Sequence, residues 1–441
     1  MHIHRVPEQA VFSMPLFVNF RSVVHALSDS LDLVGIDDVH HGKRVGIMAV
    51  DILRELGWSR QDQEMVFDAC LLHDIGVSTS DLHRQLVEEF DWVGSQTHAK
   101  LGAFLLSKFP PLAHLAPAIR LHHTHWAELK DRYGKTEQIA NLIFLADRVD
   151  VLAGTAILND ELLEGVPAIR AKVLEESGRM FDPELVAAFV SVSRKEAFWL
   201  GLETGPVAEY MARISRSARQ EETGIETLLG VAALFSHVVD AKSHFTVDHS
   251  QGVARVAAYL CGILGDSCRL DHDDCAKLEL AGYLHDLGKL RIPDAVLDKP
   301  GPLTSRERRQ ITSHAYETYR ILSRIPGFED IALWASYHHE MPDGEGYPFR
   351  LTRDEIPFQA RILRAADIFQ ALAQDRPYRD ALAAPAVLDH LRLLREEEQL
   401  DLSIYDAIAA NLQEVYRLAQ PCADQFRANS SPPPGSLGVT P

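Results

Sequence analysis

The stretches 72-LHDIGV-77 and 284-LHDLGK-289 decide how this chain is read, because each opens the same ordered series of residues. After His73 and Asp74 come His98, the pair His122 and His123, and Asp147. After His285 and Asp286 come His314, the pair His338 and His339, and Asp367. His41 precedes the first series and His249 the second. From the HD pair to the lone histidine is 25 residues in one half and 29 in the other; from there to the HH pair it is 24 in both. From the second His of the pair to the closing aspartate it is 24 and then 28. Flanking apolar text repeats as well, 145-LADRVD-150 against 365-AADIFQ-370. Ten of the 21 histidines occupy matched positions, which marks an internal duplication.

Between the matched positions, apolar residues recur at i, i+3, i+4 and i+7, as in 44-RVGIMAVDILRELG-57, 253-VARVAAYLCGILG-265 and 386-AVLDHLRLLREEE-398. Alternating strand patterns are missing, so the predicted fold class is all-α. At 441 residues the chain exceeds one ordinary core. Two tandem helical domains are expected, 20–203 and 232–420, joined by a helical linker over 204–231. The Pro/Ser/Gly-rich tail 428–441 is expected to be disordered. No apolar run approaches the roughly 18–20 residues needed to span a bilayer. The N-terminus lacks the basic-then-apolar pattern of a signal peptide, so a cytoplasmic protein with no membrane segment is expected. A formal charge of −19 argues against a DNA or RNA polymer as partner, since a phosphate backbone needs a basic surface. Cys70, Cys261, Cys268, Cys275 and Cys422 form no CxxC pair. Buried thiols are expected instead of a disulfide or thiolate zinc site, with Cys261, Cys268 and Cys275 as one buried helical stripe.

Each half supplies five imidazoles and two carboxylates, all expected on helices. Nitrogen and oxygen donors without thiolate suit Fe, Mn, Zn, Ni or Co. Seven ligands are too many for one ion that keeps an open position. Two divalent ions are therefore expected on His249, His285, Asp286, His314, His338, His339 and Asp367, with Asp286 as the bridge. Two ions ~3.5–4 Å apart suit phosphodiester hydrolysis and supply a hydroxide nucleophile near neutral pH. Lys289, three residues after Asp286, is the candidate cation for a phosphate oxygen. The N-terminal set, His41, His73, Asp74, His98, His122, His123 and Asp147, forms a second candidate site. There Val77 stands in place of Lys289 and Thr124 in place of Glu340.

The run 338-HHEMPDGEGYP-348 has no counterpart in 122-HHTHW-126. Together with 285-HDLGK-289, 292-IPDAVLDKPGPLT-304 and 366-ADIFQALAQDRPYR-379, it resembles the HD-GYP family of the HD phosphohydrolase superfamily over residues 235–420. The resemblance implies a helical fold and a di- or tri-metal centre, often iron or manganese. It implies cleavage of cyclic di-GMP to the linear dinucleotide pGpG and, in some members, to GMP; some relatives prefer cyclic GMP-AMP. Members with three metals carry a glutamate four residues before the first ligand histidine. Phe245 stands there, so a binuclear centre and hydrolysis stopping at the linear dinucleotide are expected. Gly346, Tyr347 and Pro348 are expected either to face substrate or a protein partner, or to stiffen the loop that holds His338 and His339. Oligomeric state stays open, a homodimer included. Two rival readings are a non-catalytic cyclic-dinucleotide receptor signalling through the linker helix, and a phosphohydrolase acting on a mononucleotide. The first half resembles the wider HD superfamily, and its role is open between a regulatory metal domain, a second hydrolase and a structural copy.

Overall fold

Asp271 and Thr304 open helices in the same way. Each side chain accepts the backbone N–H three residues on, while Asp274 or Glu307 reaches back to the cap's own N–H. Local rules of this kind run along the whole chain. A computed structural model describes residues 18–34, 40–77, 79–159, 161–217, 223–242, 248–375 and 380–421. Among the described residues there are twenty-two α-helices and no named β-strand, as the periodicity predicts.

Ten of these helices carry the duplication. In the first half they are α1 (His41–Glu55), α2 (Arg60–Leu72), α3 (Gln96–Ser107), α4 (Ala116–Leu121) and α5 (Lys135–Leu158). In the second half they are α6 (His249–Cys268), α7 (His272–Leu284), α8 (Ser305–Leu322), α9 (Glu329–Ser336) and α10 (Phe358–Ala373). The first helix of each half packs on the second and the fifth. The ligand-bearing ends therefore converge.

The two halves are not beads on a tether. One continuous apolar cluster takes residues from both. The Ser80 N–H donates to Asp294 Oδ2 at 2.8 Å, and the Lys242 ammonium, 3% exposed, meets Asp294 Oδ1 at 2.8 Å. The turn Leu31–Leu33 packs on the turn Leu287–Arg291. Helix Thr204–Ser217 occupies the start of the expected linker; residues 218–222, Phe245 and the tail 428–441 lie outside the described residues. Helix Ile225–Asp240 crosses the expected boundary at 231/232 and packs on α6 and α7.

The cysteine expectation needs correction. α6 ends at Cys268, where Arg269 takes a positive φ of 59°, and the Asp271 cap starts a new helix. Cys275 therefore belongs to α7, and the seven-residue spacing is not one helical stripe. Cys261 and Cys275 face each other across the α6–α7 packing and are joined as a disulfide, with Cα atoms 5.3 Å apart. Cys70 is a free, buried thiol, as expected; Cys268 is free and half-buried; Cys422 lies outside the described residues.

One close approach recurs in both halves. A Cβ on Gly288 would lie 2.1 Å from the carbonyl oxygen of His314, and a Cβ on Gly76 would lie 2.1 Å from that of His98. The turn after each HD pair thus presses directly onto the helix that carries the next histidine. Only a residue without a side chain fits there. In the second half Thr318 locks the contact: its hydroxyl donates to the His285 carbonyl at 3.0 Å and accepts the Gly288 N–H at 3.1 Å. Overpacking of this kind costs ~1–3 kcal/mol and shifts backbone. Gly288→Ala should lower the melting temperature and the divalent-ion content of the second half, read by calorimetry and elemental analysis. Wild-type values for both would mean that the contact does not set the ligand spacing.

Candidate metal centres

At a helix end the last carbonyls have no intrahelical donor. The paired ligands use this. His285 caps α7 and its Nδ1 lies 2.8 Å from the Gly282 carbonyl oxygen. His338, just past α9, places Nδ1 2.6 Å from the Ala335 oxygen. In the first half His73 and His122 do the same to Cys70 at 2.7 Å and Ile119 at 2.6 Å. His314, inside α8, bonds the Ile311 carbonyl at 2.6 Å. In each case Nδ1–H donates to the residue three back, which fixes the tautomer and leaves Nε2 free to ligate. The expectation that every ligand sits on a helix is corrected here. His73, His122, His123, His285, His338 and His339 stand in the turns just past helix ends.

In the second half the donor atoms form two groups. His249, His285 and Asp367 lie together, as do His314, His338 and His339. Asp286 lies between them. Its Oδ2 is 3.2 Å from His285 Nε2, while its Oδ1 is 3.4 Å from His314 Nε2 and 3.9 Å from His338 Nε2. His249 Nε2 is 3.1 Å from Asp367 Oδ1. All seven expected residues are thus brought together. His285 Nε2 and Asp286 Oδ1 are buried with no hydrogen-bond partner. Such orphans are costly unless something else pairs with them, and a divalent cation fits both.

Electrostatics agree with ligation. Burial pushes His314 down to about 4 and, with His314 beside it, His339 down to about 3; burial also holds His338 well below the usual range. Burial alone would raise Asp286, but His285, Lys289 and His314 outweigh it and hold the carboxyl well below the usual range. Asp367 is held low in the same way by His249, His285 and His338. Neutral imidazoles beside ionised carboxylates are the protonation state that binds a cation. His285 is raised: Asp286 and Asp367 overcome its burial. Lys289 lies in the Leu287–Arg291 turn with Nζ directly against Asp286 Oδ2.

The GYP segment is built on Glu340, which is 1% exposed. Its carboxylate accepts the Phe349 N–H at 2.6 Å and the Leu351 N–H at 2.8 Å. A Cβ on Gly346 would lie 2.3 Å from the Met341 nitrogen, so the loop closes on itself there. The Tyr347 N–H donates to the His339 carbonyl at 3.2 Å, the Tyr347–Pro348 bond is cis, and the Tyr347 ring lies 4.7 Å from the His339 ring.

The first half repeats the split carboxylate. Asp74 Oδ1 is 3.2 Å from His98 Nε2, and its Oδ2 lies 3.4 Å from His73 Nε2 and 3.8 Å from His41 Nε2. His98, His122 and His123 form one group and His41, His73 and Asp74 another, with Asp147 Oδ1 3.4 Å from His41. Burial lowers His122 to about 3. Two supporting pairs escaped the motif reading. Asp150 Oδ2 is 2.8 Å from His41 Nδ1 and its carboxylate is gripped by the buried Arg44 at 2.7 Å; Arg148 grips Asp147 at 2.8 Å. The signal was present in 145-LADRVD-150, where charged residues interrupt a buried helix. His125 turns away from the cluster to Asp91 at 2.9 Å.

Two HD domain models match the chain, one over residues 233–404 and the other over 39–153. The 3′3′-cGAMP-specific phosphodiesterase 1 of Vibrio cholerae is 36% identical over 409 residues, covering 91% of this chain and 94% of that one. The cyclic di-GMP phosphodiesterase response regulator RpfG of Xanthomonas campestris is 37% identical over 177 residues, 40% of this chain and 46% of its own. In fold, the chain is similar to the crystal structure of a cyclic GMP-AMP specific phosphodiesterase of V. cholerae, with a TM-score of 0.61 at 24% identity, covering 89% of this chain and 97% of that one. Two HD domains, the second carrying the complete HHE-to-GYP motif, and similarity over nearly the whole length to a cyclic-dinucleotide enzyme assign the chain to the HD-GYP family of HD-domain phosphohydrolases.

Proposed function

We propose that this chain, a cyclic-dinucleotide phosphodiesterase, cleaves its substrate at the C-terminal cluster and uses the N-terminal cluster for regulation. One observation carries the assignment. Both halves have a carboxylate divided between two imidazole groups, but only Asp286 has a lysine against it and a GYP loop beside it.

His249, His285 and Asp367 would hold one divalent ion and His314, His338 and His339 the other, with Asp286 shared. Iron or manganese suits this nitrogen–oxygen set. Such ions, when bound, supply Lewis acidity and a water of lowered pKa for attack on phosphorus. The chain's own residues do the rest. The carbonyl-anchored imidazoles keep their geometry through turnover, because each ring is fixed to the backbone three residues before it. Lys289 is close enough to Asp286 to leave it for a non-bridging phosphate oxygen, where it offsets the charge that builds in the transition state. Tyr347 closes the outer side of His339 and limits the access of bulk water.

The first substrate reading is 3′3′-cyclic GMP-AMP, because the relative similar across both halves is specific for it. Cyclic di-GMP is the second reading, supported by the GYP motif and by relatives that match over 40% of the chain. For the N-terminal half a regulatory role is favoured. Arg148 occupies Asp147, Val77 offers no phosphate cation, and the Leu31–Leu33 turn beside His41 touches the turn that carries Lys289.

Asp286→Ala should cut cyclic-dinucleotide cleavage at least about a hundredfold, measured by chromatography of the linear product. Asp74→Ala should keep the chemistry of cleavage while lowering the metal content of the first half; loss of activity in Asp74→Ala alone would put the active site in the wrong half. For substrate choice, kcat/KM for 3′3′-cyclic GMP-AMP should exceed that for cyclic di-GMP by about tenfold or more, a difference of ~1.4 kcal/mol in transition-state binding. Parity or the reverse order would favour the second reading. Glu340→Gln should remove one charge-assisted acceptor, worth ~1.5–3 kcal/mol. Proteolysis within 341–351 should become faster and KM should rise, with metal content kept; an unchanged cleavage pattern would show that Glu340 does not order the loop.

A further inference from the structure

Among the described residues, several cations around the second-half centre are engaged by carboxylates. Arg353 and Arg361 both meet Asp401 Oδ1, at 2.6 and 2.7 Å. Arg291 and Arg320 are taken by Glu317, and Lys299 by Glu307 at 2.6 Å. Lys289 rests on Asp286. Arg364 is different. It stands on α10 one turn before the ligand Asp367, half-buried, and its Nε is buried with no hydrogen-bond acceptor. Among the described residues no carboxylate forms an ion pair with it; Asp367, Asp343 and Tyr347 act on it only at longer range. Arg308, exposed on α8, acts with Arg364 on the Tyr347 phenol electrostatically.

A half-buried guanidinium without a counter-ion is costly to retain. Its cost is recovered when an anion arrives, since a planar guanidinium binds a phosphate through two parallel N–H donors. A cyclic dinucleotide carries two phosphodiesters at opposite sides of its ring. One is consumed at the ligand cluster beside Lys289. The other must be set down close by, where the acidic residues around the centre would repel it.

We infer that Arg364, with Arg308 and the Tyr347 ring, forms a second anion subsite that holds the non-scissile phosphodiester and so selects cyclic dinucleotides over simple diesters. This rests on the phosphodiesterase reading above. Arg364 does not take part in bond breaking. It positions the ring so that the opposite phosphodiester reaches the centre, and its effect belongs in KM for a two-phosphate substrate.

The discriminating probe is bis(p-nitrophenyl) phosphate, which has a single phosphodiester and cannot use a second subsite. In Arg364→Gln, KM for 3′3′-cyclic GMP-AMP should rise about tenfold with kcat nearly unchanged, the loss expected for one charge-assisted bidentate contact. Hydrolysis of bis(p-nitrophenyl) phosphate and metal content should stay at wild-type values. Arg364→Lys should recover part of the KM, and Arg308→Gln should give a smaller shift of the same kind. An unchanged dinucleotide KM in Arg364→Gln overturns the inference. So does an equal loss on both substrates, which would make the arginine a packing residue. Wild type that hydrolyses bis(p-nitrophenyl) phosphate but neither cyclic dinucleotide would instead overturn the cyclic-dinucleotide reading itself, and the subsite with it.

Discussion

The hydrogen bond from an imidazole Nδ1 to the carbonyl three residues back is the contact on which the rest of this molecule depends. A helix end leaves carbonyls unpaired, and a histidine placed just beyond it satisfies one of them while directing Nε2 away from the helix. His73, His122, His285 and His338 all use it. Because the ring is fixed by its own backbone, each ligand points where its helix points. Packing the helices is then enough to assemble the cluster. The close seats of Gly76 and Gly288 bring the HD turn and the next ligand helix to contact distance.

A shared frame has taken two different supporting shells. At the matched positions, the first half has Arg44 and Asp150 where the second has Gly252 and Gln370. In one case a buried ion pair orients His41; in the other the Nδ1 of His249 faces Gln374 Oε1 at 3.1 Å. Asp147 is neutralised by the adjacent Arg148, whereas Ile368 follows Asp367 and leaves that carboxylate to the imidazoles. Val77 is buried where Lys289 reaches Asp286. These exchanges shift charge by whole units. Sites with nearly identical ligand sets can therefore differ in chemistry.

The halves also meet through ordinary packing. The turn that carries Lys289 lies on the Leu31–Leu33 turn, and Asp32 from that turn bonds Lys43 at 2.8 Å, two residues past His41. The Asp294 bonds to Ser80 and Lys242 tie the same face together.

Much of this was legible in one dimension. Helical periodicity gave the class, and the repeated order of His and Asp picked out fourteen candidate ligands, thirteen of which fall in clusters of donor atoms that could hold an ion, with Asp147 3.4 Å from His41, because metal coordination demands particular side chains in a matched order. The GYP run named the family for the same reason. What the chain alone could not reveal lies in contacts between distant segments. Glu340 reads as part of a motif, yet its work is to accept two backbone N–H groups nine and eleven residues on. Cys261 and Cys275 read as one stripe until a positive φ at Arg269 ends the helix between them. Arg364 reads as one arginine among many, and only the pairing of its neighbours leaves it without a counter-ion. Sequence determines which groups can ligate, since that is a property of each side chain. Tertiary structure decides which charges are cancelled and which remain for a substrate, since that depends on which carboxylate each cation meets.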